Sequence, residues 1–367
     1  MNTGSLRNLL NFALFAAAIV AAQLLMHATG TEYCLTQLTM ALYYAIVVMG
    51  LCLLMGYAGQ VSLGHGAFFA LGGYTSAVLT TYDFARFNGT AWAGWLQQTH
   101  LLITRPDLYG NSVLTASPWA GFVAAMLLAG STACLIGYPA LRLRGHYLAM
   151  ATLGFGLIVA RMLLGSSITG AADGINGVPP FRLVAGLTVT GKSALRVQNY
   201  YIACGLVLTL LFLLRNLVHS RVGRALQAIH DREAAANAMG IDTAGYKLGA
   251  FVLSALLAAV AGVFFVHYAG GIGPSEAGAF KSVRYVALAA VGGMANLWGV
   301  TAVSTALTFL SLRGWFGSYD NAVFGLILIL VISLAPDGPF KPLGQWLRGI
   351  ARGAAPKHNP ATKAAPE

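Results

Sequence analysis

Residues 56–79 read GYAGQVSLGHGAFFALGGYTSAVL and follow a nearly unbroken apolar run. Gly56, Gly59, Gly64, Gly66, Gly72 and Gly73 fall within this stretch, together with the polar Gln60, Ser62 and His65. Part of that glycine content suits ordinary helix packing, because small residues let backbones approach closely in lipid. Gly56, Gly59 and Gln60 clustered ahead of Ser62 need another explanation. Irregular backbone at membrane depth persists only where protein or a water-filled cavity satisfies its N–H and C=O groups. A glycine-interrupted apolar segment is therefore a sequence sign of a broken helix lining a pathway. Gly292 and Gly293, in AAVGGMANLWG, read as a comparable break in the other half of the chain. Gln60, Ser62, His65, Gly66, Gly292 and Gly293 are the candidate pathway residues.

The rest of the chain supports a membrane setting. Its 367 residues are 57% hydrophobic and only 9% charged, against about a quarter charged in soluble domains. A spanning helix needs about 20 mostly apolar residues. Suitable windows recur near 9–26, 38–58, 61–81, 118–139, 147–164, 198–215, 247–269, 283–300, 301–314 and 321–336. The expected fold is an all-α polytopic bundle of about ten transmembrane helices, some broken or re-entrant, over residues 1–336. Residues 337–367, with Lys341, Arg348, Arg352, Lys357 and Lys363, read as a disordered basic cytoplasmic tail. Arg7 precedes an apolar run longer than the 7–15-residue core of a signal peptide, so the first window is read as a retained span.

The net charge of +11 fits the excess of Lys and Arg in cytoplasmic loops. No basic run is interleaved with aromatics as single-stranded nucleic acid would need, so nucleic acid is not an expected partner. With both termini cytoplasmic, the loops holding Arg142 and Arg144, and Arg215, Arg221, Arg224 and Arg232, fall inside. The 165–197 loop, placed outside, runs against the rule with Arg182, Lys192 and Arg196 facing only Asp173.

Several function classes lose ground. No Asp or Glu lies inside the drawn spans, which weighs against ion-coupled transport. No nucleophile with a base and no carboxylate pair is present for an intramembrane enzyme, and His65 and His267 read as lone packing residues. GLTVTGKS, residues 186–193, matches the pattern of a phosphate-binding loop. Here it lies in a connection between spans, and reads as a chance match in a hairpin. Cys34, Cys52, Cys134 and Cys204 lack paired spacing and read as small buried residues, with no disulfide framework or metal site.

Residues 219–251, HSRVGRALQAIHDREAAANAMGIDTAGYKLGAF, form the most charged interior stretch. Val222, Leu226 and Ile229 recur at helical spacing, with Arg221, Arg224, Asp231, Arg232 and Glu233 elsewhere around the turn, which predicts a short amphipathic helix. Gly240 suits a left-handed stop and Asp242 a cap for the next helix. The loop reads as a docking helix for a cytoplasmic partner, or more simply as a connector. Small residues recur every fourth position at Ser62, Gly66 and Ala70, and again at Ala250, Ser254, Ala258 and Gly262, predicting ridges for close helix packing.

Five motifs in order, GYAGQVSLGHGAFFALGGYTSAVL, LRGHYLAMATLGFGLIV, SITGAADGINGVP, RVGRALQAIHDREAAANAMGIDTAGYKLGAFVLSALLAAVAG and AAVGGMANLWG, resemble the permease subunits of branched-chain amino-acid ABC importers, of the LivM type. The resemblance covers about residues 40 to 340. It implies a bacterial inner-membrane permease paired as a heterodimer with a second, related permease. It also implies two cytoplasmic ATPases that hold ATP and magnesium, leaving no cofactor in this chain, and an extracytoplasmic binding protein that delivers substrate. Residues 219–247 would form the coupling loop, with Arg224, Asp231, Glu233 and Gly240 at the ATPase, and EAAANAMG is similar to the EAA loop of importer permeases. The chain departs from the family pattern at Val300, where proline is expected, at Arg284, where an acid is expected, and in its long outer loop 82–117. Alternatives are a urea or short-amide permease of the same family and, from other classes, an uncoupled channel or ion-coupled carrier.

Overall fold

In lipid a backbone must satisfy its own hydrogen bonds, so charge-poor apolar runs become helices. The computed structural model describes residues 3–85, 98–99, 101–106, 112–141, 146–184, 186–315 and 317–334. Trp92, Trp95, Arg142, Arg144 and the 337–367 tail lie outside these residues. The first half holds α1 (Thr3–Ala28), α2 (Cys34–Cys52, continued as a π turn over Leu53–Tyr57), α3 (His65–Thr81), α4 (Pro118–Ala140) and α5 (His146–Gly165). The second half holds α6 (Arg196–His219), α7 (Arg221–Asp231), α8 (Glu233–Ala238), α9 (Thr243–Ala269), α10 (Ala279–Gly292), α11 (Leu297–Leu312) and α12 (Asp320–Leu334).

Five of these segments, Cys34–Tyr57, Pro118–Ala140, His146–Gly165, Ser193–His219 and Thr243–Ala269, are long and apolar enough to cross a membrane. The chain is a multi-pass membrane protein, although length and composition do not establish ten spans. Within it, α2 and α9 are the inner helices. Their apolar windows are 89% and 72% buried, against 28%, 33% and 33% for α4, α5 and α6. Leu127, Leu135, Met162 and Phe212 stand exposed on those outer helices, as a lipid-facing surface requires.

Three features differ from expectation. The boundary drawn between residues 300 and 301 falls instead at Gly293–Asn296, because Gly293 has a positive φ of 90° and the Asn296 side chain caps α11 by accepting from the Gly299 N–H at 3.2 Å. Among the described residues three small antiparallel pairs supplement the helices: β1 (Leu102–Pro106) with β2 (Ser112–Ala116), β3 (Ile175–Asn176) with β6 (Gly271–Ile272), and β4 (Phe181–Val184) with β5 (Leu187–Val189). Cys134 is exposed on α4 rather than buried.

Helix directions follow from side-chain contacts. Near the start of α2, the Thr36 carbonyl accepts from Tyr268 Oη at 3.5 Å, close to the end of α9. Gly50 packs on Ser254, where a Cβ would lie 3.0 Å from the Ser254 carbonyl oxygen. So α2 and α9 run antiparallel. By contrast α3 runs with α9, from His65 beside Ser254 to Ser76 beside His267. It therefore covers only the second half of α9.

Between α2 and α3 the chain is not helical from Ala58 to Gly64. Gly59 has φ +68° and lies against His230, at the end of α7, while His65 lies midway along α9. The segment thus returns from the end of the bundle that carries α7 and α8 to its middle. Along it Gly59 and Val61 are exposed, and Gln60, Ser62 and Gly64 are buried.

The second half repeats this course in the opposite direction. After α9, β6 and a 3-10 turn over Pro274–Ala277 come back along α3. Ile272 lies beside Gly73, and the Glu276 and Gly278 carbonyls beside Gly66. From there α10 runs to Gly292, and the chain beyond it reaches Gly56 and Cys52, where Cys52 Sγ donates to the Met294 carbonyl at 3.0 Å. Each unit is therefore a long helix, a return to mid-depth outside α-helix and a half-helix, and the two units are inverted relative to each other.

Candidate functional site

Both half-helices begin on glycine, Gly64 before α3 and Gly278 before α10, and neither has a side-chain cap. The first N–H groups of a helix have no partner within it, and aligned peptide dipoles leave that end partly positive. Here α10 supplies a partner for the start of α3, since the Gly66 N–H donates to Ser282 Oγ, in the first turn of α10, at 3.1 Å. A Cβ at Gly66 would lie 2.7 Å from that oxygen, so the contact requires glycine.

Of the candidate residues from the first break, His65 and Gly66 lie at this junction. His65 is fully buried, with Nε2 2.6 Å from Ser254 Oγ, and its Nδ1 has no partner. Phe68 and Phe251 present their rings to it edge-on at 6.1 and 6.4 Å. Gln60 is buried with its Oε1 unpartnered. Ser62 Oγ accepts from the Gly64 N–H at 3.4 Å. From α5, Thr152 Oγ1 accepts from the Leu63 N–H at 3.0 Å, which holds the return segment against that helix. Buried polar groups without partners are uncommon in a finished core, and Gln60 Oε1 and His65 Nδ1 are two of those found among the described residues.

Gly292 and Gly293 lie elsewhere. A Cβ on Gly292 would sit 2.5 Å from the Cα of Val300, so the residue standing where proline was expected closes the α10–α11 corner. That corner packs on the other break: Tyr57 Oη donates to the Ala295 carbonyl at 2.7 Å, and any side chain on Gly56 would collide with Met294. The two glycine breaks meet at the α7 end of the bundle, well away from His65.

Of the ridge residues, Ala250, Ser254, Ala258 and Gly262 are all buried along α9. Gly262 faces Phe69 and Gly73, and Gly72 faces Ala259. Ser62 precedes α3, so it cannot continue a helical row through Gly66 and Ala70.

The first loop helix, α7, touches the return segment at Gly59. In α7 the buried residues are Gly223, Leu226 and Ile229, whereas Val222 is 38% exposed. Gly223 takes the apolar place expected of Val222 because it packs against the Val218 backbone. Arg221, Arg224 and Asp231 face outward, Arg224 Nη1 donating to the His219 carbonyl at 3.2 Å. Glu233 pairs with Lys247 at 2.6 Å. Gly240 takes a positive φ of 81°, and Asp242 caps α9 through the Gly245 N–H at 3.1 Å. At the far end of α7, a Cβ on Gly59 would approach His230 Nδ1 to 2.7 Å.

Residues 186–193 are built into the β4–β5 hairpin and the approach to α6, and the Thr190 N–H already donates to Asn199 Oδ1 at 2.9 Å. A phosphate cradle needs free backbone N–H groups between a strand and a helix, and this segment has no such form.

Sequence reasoning missed Glu276, Lys281 and Tyr44. Glu276 lies outside every span drawn above, yet it folds back into the bundle and is 8% exposed. It is the one acidic residue between Asp242 and Asp320, and the Gly-Pro break around it was the available signal. Arg284, where an acid was expected, is answered by Asp320 at 3.0 Å.

Comparison with known proteins gives a consistent picture. Residues 33–332 match the family model described as branched-chain amino acid transport system / permease component. The high-affinity branched-chain amino acid transport system permease protein LivM of Salmonella typhimurium is 30% identical over 320 residues, 82% of this chain and 68% of that protein. LivM of Escherichia coli K12 is 30% identical over 338 residues, covering 86% and 72%. LivH of Escherichia coli K12 is 24% identical over 315 residues, covering 82% and 92%. No solved structure matches.

Proposed function

The chain belongs to the family of permease components of branched-chain amino acid transport systems, and from that premise we propose that it is one of two related permeases of an ATP-driven importer in a bacterial inner membrane. An extracytoplasmic binding protein delivers branched-chain amino acids to it, and two cytoplasmic ATPases, which hold ATP and magnesium, dock on α7 and α8. The chain performs no chemistry of its own. Its ten helices other than α7 and α8 enter or cross the bilayer, with both termini cytoplasmic. The observation that carries this reading is the contact between His230 and Gly59. It joins a helix with outward charges to a return segment whose buried groups have open hydrogen-bonding capacity.

In this reading substrate passes by the junction of the two half-helices, and the ATPases move the return segment through α7. Ten spans require α3 and α10 to share the membrane thickness with their returns, an arrangement tolerated where the returns line a cavity. Purification from native membranes in mild detergent, followed by mass spectrometry, should recover two ATPase chains and a second permease. An Arg224→Glu variant should lose the ATPases while keeping the permease partner. Recovery of the chain alone, under conditions that preserve a known membrane complex, would point to a channel or carrier. ATP-dependent uptake of urea or acetamide in place of leucine would change the substrate and leave the assembly standing.

A further inference from the structure

Beside the half-helix junction lies a charge cluster. The Glu276 carboxylate accepts from Tyr44 Oη, at 3.1 Å to Oε2 and 3.3 Å to Oε1, and is ion-paired with Lys281 Nζ. Lys281 Nζ also donates to Tyr44 Oη at 3.0 Å and lies 4.7 Å from the centre of that ring. Tyr44 sits midway along α2, with Phe69 and Tyr285 packed on its ring at 5.5 and 6.1 Å. The Glu276 side chain is 11% exposed and that of Lys281 31%, so the pair is mostly buried but not sealed.

Such a pair is costly to place there. Withdrawing each ion from water costs several kcal/mol, and a packed apolar pair would often hold the fold as well. An ionisable group at membrane depth is accordingly a functional site until shown otherwise. Two further hydroxyls, of Tyr74 and Tyr285, are buried within electrostatic reach of Glu276 and have no hydrogen-bond partner. The cluster thus offers one anion, one cation and two uncommitted hydroxyls at one place, beside aromatic walls.

We propose that this cluster is an exchange site for the two charged ends of a zwitterionic α-amino acid. The ligand ammonium takes the place of Lys281 beside Glu276 and Tyr44, and the ligand carboxylate takes the place of Glu276 beside Lys281. The aliphatic side chain lies against the Tyr44 and Phe69 rings. Because one internal pair is surrendered for two ligand pairs, binding is weak and reversible, as passage requires. An uncharged guest such as urea or an amide cannot make the exchange. The proposal rests on the amino-acid importer reading above and adds the residues that would meet the substrate.

The test uses the intact transporter, this chain with its partner permease and ATPases, in nanodiscs and proteoliposomes. Leucine uptake is measured with the binding protein present. Saturation-transfer NMR without it compares leucine, 4-methylpentanoate, 3-methylbutylamine and 4-methylpentanamide. Glu276→Gln should lose the amine signal and keep the carboxylate signal, Lys281→Met should do the reverse, and each should lower leucine uptake ten-fold or more. The double variant E276K/K281E restores an internal pair and should recover leucine binding in part. Three results overturn the site: equal leucine signals in wild type and both single variants, loss of both half-ligand signals together in each variant, or a wild-type complex that transports leucine yet gives it no more signal than the amide. A wild-type complex that transports no leucine at all would instead overturn the importer reading.

Discussion

At the residue scale, the junction depends on the absence of side chains. Gly66 brings α3 within hydrogen-bonding distance of Ser282 and beside the carbonyls of Glu276 and Gly278, leaving no room for a branched group. Gly66→Leu should abolish transport, by ten-fold or more, while the protein still reaches the membrane, measured as uptake against immunoblotted membrane protein. Undiminished uptake would remove the junction from the pathway. The sequence made Gly66, Gln60 and His65 conspicuous because glycine and polar side chains stand out in an apolar run. It gave no such prominence to Tyr44 or Lys281, whose significance arises only when a segment 230 residues away folds back beside α2.

The element scale concerns the returns. Gly59 combines a positive φ of 68° with close approach of His230. A side chain in the left-handed region costs about 1–2 kcal/mol even before any clash. Gly59→Val should therefore lower the thermal midpoint of the purified protein and reduce uptake several-fold, whereas Gly249→Ala, in open space on α9, should change neither. Equal behaviour of the two variants would deny the return segment its strain. Breaks were legible as glycine pairs, but their limits were not. Hydropathy put the boundary between residues 300 and 301 within a continuous apolar run, and the deciding signal was the capping side chain of Asn296, a few residues earlier. The return after α9 escaped notice because a short stretch with one acid, between two apolar windows, is hydropathically the same as a surface loop.

For the whole molecule, the inverted pairing of the two units fixes which ends of the helices share a side. Lys192, in the segment leading to α6, and Arg224, on α7, belong to opposite ends of the bundle. Single cysteines at these positions, in a chain whose own four are replaced, should differ in labelling by an impermeant maleimide. Lys192→Cys should react in intact cells and Arg224→Cys only after permeabilisation, and reaction of both in intact cells would reverse or dissolve the topology proposed here. Long helices and a charged loop were readable from composition because hydropathy acts locally. The inversion was not, because it resides in contacts between remote segments such as Gly50 with Ser254 and Gly73 with Ile272.

The non-helical stretch from Ala58 to Gly64 has a kinetic consequence. A helix resists bending because each turn is tied to the next, so displacing part of it means breaking a ladder. This stretch has no ladder: the Gln60 N–H donates back to Leu54, and Leu63 is tethered to Thr152. A push at His230 can therefore be absorbed as rotation about a few backbone bonds while α2, α3 and α9 stay stiff. Loop motions of this kind run on nanosecond to microsecond timescales, faster than the microsecond-to-millisecond shifts of packed helices. In the proposed importer this segment responds as soon as α7 moves, and the pace of opening is left to whatever drives α7.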